Sequence, residues 1–155
     1  IAFRRDMEGL AAERAARLGS ETDLALIDTI FAKMEAAQAT RSGREEAALD
    51  AEFHMAIVEA GHNVIMLHMM RSIYDLLRQG VFYNRQTMFR QRTTRAALLA
   101  QHRAINDALQ ARDAEGARAA VAAHLDYVEQ ALRDQRRAER NEAIARQRLQ
   151  QETER

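Results

Sequence analysis

DAEGARAAVAAHLDYVEQAL, residues 113–132, sets Ala117, Ala120, Val121, Leu125, Val128 and Leu132 on one face at intervals of three and four. That period belongs to an amphipathic α-helix turning one face to a core. Asp113 precedes the face as an N-cap, its carboxylate placed to accept from backbone N–H groups that a first turn leaves open. His124 falls on the same face, where a helical protein ordinarily places leucine. A buried imidazole loses its hydration and needs a hydrogen-bond partner or a cation in exchange.

The same interruption recurs elsewhere. His102 stands in the series Leu98, Leu99, His102, Ile105, Leu109, and LDAEFHMAIVEAG, residues 49–61, puts Asp50 and His54 one turn apart on a face with Ile57 and Gly61. Alone, a carboxylate and an imidazole at i,i+4 make a simple helix pair, and a single core histidine is satisfied by hydrogen bonding. Three histidines and one aspartate on the inward stripes of three helices are different. They supply the nitrogen and oxygen ligands suited to Zn²⁺, Ni²⁺ or a similar divalent ion. His62 stands in a turn beside Asn63 and His68 at the edge of a buried face, so neither joins the set. The methionines of VIMLHMM, residues 64–70, read as adaptable core filler.

Proline is absent and glycine occurs six times, so helix propensity is high along nearly the whole chain. Capping signals mark the breaks: Gly19 and the Ser20/Asp23 pair, Ser42 with Glu45 beside Gly43, Gly61 followed by Asn63, then Thr93 and Asp113. Six helices are predicted, over 2–18, 21–40, 44–60, 64–89, 94–111 and 114–140. The fourth carries the apolar series Leu67, Met70, Tyr74, Leu77, Val81, with a bend at Gly80. Short connections favour an all-α antiparallel bundle around a central ligand or metal cavity. Residues 1–132 form this bundle. Residues 133–155, sparse in apolar side chains, read as a charged helical extension or frayed tail.

The 155 residues suffice for one core, and no apolar run is long enough to cross a bilayer. With no cysteine and no signal-peptide pattern, a cytoplasmic location is expected. Lys+Arg 23 balances Asp+Glu 23, which removes the positive field that nucleic-acid binding normally requires.

FRRDMEGLAAERAA (3–16), DAEFHMAIVEAGHN (50–63), QHRAINDAL (101–109) and DAEGARAAVAAHLDYVEQAL (113–132) occur in an order and spacing that resembles the FadR C-terminal domain of GntR-type bacterial transcription regulators. Within that family HNVIMLHMMRSIYDLL, residues 62–77, looks most like the branch responding to lactate, pyruvate or glycolate. The resemblance implies a helical bundle that binds a small organic acid, often through a divalent metal held by Asp50, His54, His102 and His124. It also implies that Arg4, four residues before Glu8, helps to hold the effector carboxylate, although periodicity alone puts Arg4 on an exposed face. Asn84 is a weaker candidate for the same cavity. Family members carry a winged helix-turn-helix domain ahead of this segment, which these residues do not supply. The chain therefore reads as the sensor part of a homodimeric regulator, touching DNA only through that other domain.

Two other readings compete with a sensor. In a metal-dependent enzyme acting on a small carboxylate the ion would activate water, but Glu59 and Asp107 have no spacing that ties a general base to the site. In a helical interaction module the histidines would be structural, and the bundle would ignore chelators and acids.

Overall fold

Capping side chains set where the helices begin in the computed structural model, which describes residues 2–40, 42–75 and 92–154. Helix α1 spans Ala2–Leu18, α2 Glu21–Thr40, α3 Gly43–Ala60, α5 Arg92–Gln110 and α6 Ala114–Thr153, and the described part of α4 covers 64–75. Before α2, Ser20 Oγ accepts from the Asp23 N–H at 3.1 Å while Asp23 Oδ2 accepts from the Ser20 N–H at 2.8 Å, a reciprocal capping box. Ser42, Asn63 and Asp113 cap α3, α4 and α6, each side chain accepting from the backbone N–H three residues on. Thr93 is no cap, because α5 starts at Arg92 and takes it into the first turn. The rest of the predicted fourth helix, with Leu77, Gly80, Val81 and Asn84, lies outside the described residues.

The chain leaves α3 through His62, which adopts the left-handed φ of 49°. Gly61 is needed for proximity instead. A Cβ there would stand 3.4 Å from the Ala11 carbonyl oxygen, where α1 crosses the end of α3. Arg14 Nε donates to the Gly61 carbonyl at 3.1 Å and fastens that crossing.

Helix α1 packs on α6 and α3, α2 on α3 and α5, and α5 on α6. Ile27, Ile30 and Phe31 of α2 meet Phe53 and Ile57 of α3, Ile105 and Leu109 of α5, and Val121 and Leu125 of α6 in the main core. Burying such a side chain stabilises the fold by roughly 1.5–3 kcal/mol. The first helix contributes mainly Ala11, Ala12, Ala15 and Ala16, small side chains that let its backbone come close to its neighbours. Met66 and Met70 of α4 close a second cluster with Ala11 and Val58, while Leu67 and Tyr74 stay half-buried.

The last helix runs past the predicted end at residue 140. It contains no glycine or proline after Gly116, and pairs at i,i+4, such as Arg146 with Glu142 at 2.8 Å, line its solvated length. From residue 136 onward it is exposed. No helix among the described residues is long and apolar enough to cross a membrane.

Candidate metal centre

Three helices bring the four predicted ligands together. Asp50 and His54 project from α3, His102 from α5 and His124 from α6, all buried, with one potential ligand atom from each lying within 4.8 Å of the others. Ligand atoms sharing one ion at zinc distances stand no more than about 4.4 Å apart, so small side-chain rotations suffice to close the set. His102 Nε2 lies 3.0 Å from Asp50 Oδ1 and 3.2 Å from His54 Nε2. Phe53 presents its ring edge-on to both His54 and His102, making one wall of the site hydrocarbon.

Hydrogen bonds on the far side of each ring decide which nitrogen faces inward. His102 Nδ1 lies 2.8 Å from the Leu98 carbonyl oxygen, which can only accept, so the proton belongs on Nδ1. His54 Nδ1 lies 2.9 Å from Glu8 Oε2, and His124 Nδ1 lies 2.9 Å from Gln101 Oε1. Neutral imidazoles bonded in this way turn their Nε2 lone pairs inward, toward one another and toward the Asp50 carboxylate. Burial favours the neutral form of His54 and His124. It pushes His54 below its ordinary range despite the pull of Glu8, and it pushes His124 well below, reinforced by the neighbouring imidazoles. Lone pairs and a carboxylate converging in a dry site repel one another, and a divalent cation relieves that repulsion. The donor set can hold a metal ion.

Arg4 is buried, not exposed as its helical phase suggests. Its Nε donates to Glu8 Oε1 at 2.6 Å, and its Nη2 donates to Glu8 Oε2 at 3.3 Å and to the Tyr74 hydroxyl at 3.0 Å. Burial alone would raise the Glu8 pKa, but the Arg4 charge, with His54, brings it down to about 2. Glu8 therefore stays ionised between Arg4 and His54. Glu8 and Gln101 escaped the reading of the sequence. Glu8 shares the buried stripe of Ala12, Ala15 and Ala16, and that placement was the available signal.

An all-helical bundle with an interior aspartate and three histidines, each ring oriented from behind, defines a class of metal-capable regulatory domain. The chain belongs to the FCD domain family, whose match covers residues 1–127. It is 31% identical over 131 residues, 83% of this chain and 52% of the relative, to the Glc operon transcriptional activator of Escherichia coli (strain K12). It is 31% identical over 133 residues, 85% of this chain and 60% of the relative, to the HTH-type transcriptional regulator LutR of Bacillus subtilis (strain 168). A shorter match, 44% over 79 residues, 51% of this chain and 31% of the relative, is to an Escherichia coli (strain K12) protein named as an L-lactate dehydrogenase operon regulatory protein. The chain thus spans from about a third to three fifths of the length of these curated relatives. Among solved structures, Escherichia coli McbR/YncC matches with a TM-score of 0.73 at 19% identity, over 86% of this chain and 62% of that one, which supports the fold.

Proposed function

We propose that this domain senses a small hydroxy- or keto-carboxylate for a GntR-type transcription regulator, with a divalent ion, zinc foremost, held by Asp50, His54, His102 and His124. The observation that carries the reading is the buried gathering of one potential ligand atom each from Asp50, His54, His102 and His124 within 4.8 Å, with His102 Nε2 at 3.0 Å from Asp50 Oδ1. When bound, such an ion supplies coordination positions for a carboxylate and its neighbouring hydroxyl or keto oxygen. Every other part of the site is the chain's own. The helices hold the ligands, Phe53 excludes water from one side, and burial keeps His54 and His124 in their metal-binding form. Arg4 grips Glu8 through Nε and Nη2, which leaves Nη1 to meet the acid.

The relatives named for lactate and Glc operons favour lactate, pyruvate or glycolate as the effector class. An acid that prefers one arrangement of α3, α5 and α6 shifts the bundle by its differential affinity. In this reading the regulator is a cytoplasmic homodimer acting on paired half-sites, and DNA is gripped by a domain outside this chain. Thermal unfolding with and without zinc, across lactate, pyruvate and glycolate, tests it. The expected result is a midpoint raised by zinc, raised further by one acid, and unresponsive to both in His102→Ala. A wild-type domain indifferent to zinc and to every acid overturns it.

A further inference from the structure

We infer that Glu8 is a positioning residue for the metal centre: held by Arg4 and Tyr74, it fixes the His54 ring so that Nε2, not Nδ1, faces the ligand set. The inference rests on the metal reading above and assigns to the first helix a part in it. His54, like His124 on Gln101, depends for its orientation on a side chain from another helix, and only His54 has a charged one behind it. His102 is tied to a backbone carbonyl of its own helix, and a backbone oxygen four residues away cannot turn aside. His54 Nδ1 depends on a side chain from another helix, Glu8 Oε2 at 2.9 Å.

That carboxylate is in turn held on its other side. Arg4 takes both its oxygens, and the Tyr74 hydroxyl stands 3.2 Å from Oε1, so the group is anchored from α1 and from α4. Both members of the ion pair are almost fully buried, which screens the contact from water and makes its geometry stiff. A carboxylate behind a ligating imidazole fixes the tautomer and raises the ligand's basicity, and removing such a partner typically weakens metal binding about 10- to 100-fold. The chain Arg4–Glu8–His54 also joins α1 and α4 to a site whose ligands all sit on α3, α5 and α6.

The test uses the full chain, with zinc as the probe. Zinc affinity is measured by competition with a chromophoric chelator, and the tautomer of each ring by long-range ¹H–¹⁵N correlation of the imidazoles. Glu8→Leu, which leaves no acceptor behind the ring, is expected to weaken zinc binding about 10- to 100-fold at unchanged stoichiometry and to release His54 from the Nδ1–H tautomer, leaving His102 and His124 as they were. Because Glu8→Leu strands the Arg4 charge, the paired variant Arg4→Met/Glu8→Leu repeats the measurement with neither charge present, and the same loss is expected. A purely structural Glu8 would lower the unfolding midpoint yet leave both zinc affinity and the His54 tautomer unchanged, and that result overturns the inference while the metal reading stands. A wild-type chain that takes up no zinc overturns both.

Discussion

One turn of α3 separates Glu46 from Asp50 and two turns of α5 separate Arg95 from His102, yet the buried polar groups at these two levels are built differently. Glu46 receives the Nε of Arg95 at 3.0 Å and its Nη2 as well, and that Nη2 also donates to the Gln38 carbonyl at 2.9 Å. Charge cancels charge, and these donors meet acceptors. Asn106 is likewise matched, donating to Asp28 at 2.8 Å and accepting from Gln110 at 3.2 Å. At the Asp50 level the outer ring nitrogens are matched behind the rings, while His102 Nε2 meets Asp50 Oδ1 at 3.0 Å and His54 Nε2 at 3.2 Å. Burial of polar side chains alone does not mark a site. Metal-capable atoms gathered from three helices within 4.8 Å of one another mark a candidate one.

The comparison is broken most forcefully with zinc itself. At free zinc a thousandfold above its dissociation constant, mass action adds about 4 kcal/mol to wild-type stability. His102→Ala should lose nearly all of that increment, whereas Glu46→Gln should keep it, as read from urea unfolding with and without the metal. Next in size is Glu46→Leu, which strands a largely buried Arg95 and should cost about 3 kcal/mol in either condition. The double variant Glu46→Leu/Arg95→Met should recover most of the loss, since the pair is self-contained.

Acid sharpens the contrast. In the metal-free domain His54 and His124 are held below their unfolded value of 6.5, so the unfolded chain binds more protons as pH falls past it. Stability is therefore full above pH 6.5 and declines below it, by at most about 1.4 kcal/mol per pH unit for each group. Glu8, moved from 4.5 to about 2, adds stability present above pH 4.5 and lost as pH falls toward 2. Chemical unfolding across pH 8 to 4 should show the histidine slope, and about one equivalent of zinc should raise the curve while leaving its upper slope unchanged, because the folded imidazoles carry no proton there for the metal to displace. The smallest effect belongs to the solvated part of α6. There Arg146→Ala should change stability by no more than about 0.5 kcal/mol and leave zinc binding untouched.

The buried cluster was legible because each member interrupts a leucine-like period: Asp50, His54, His102 and His124 all stand where hydrocarbon belongs, and all are buried within reach of one another. The helices were legible for a similar reason, since Ser20, Ser42, Asn63 and Asp113 bond their own first turns and announce themselves within four residues. What sequence could not supply was the partner behind each ring. Gln101 beside His102 reads as an ordinary polar neighbour, and only the crossing of α5 and α6 puts it on His124. Arg4 reads as solvent-exposed because alanine makes a faint apolar stripe, and the close approach that small residues allow is a tertiary fact. The end of α6 was set too early, since apolar content was used as the guide and a helix of alanine, arginine, glutamate and glutamine needs no core to persist through 153.

That uninterrupted α6 gives the candidate ligand His124 mechanical reach. Thr153 lies 29 residues beyond it on the same helix, about 44 Å at 1.5 Å per residue. Each degree by which the helix pivots at His124 carries its far end sideways by about 0.8 Å on that length. If the proposed effector closes the site, a shift too slight to disturb the core would be magnified along this lever into a displacement that another molecule can register.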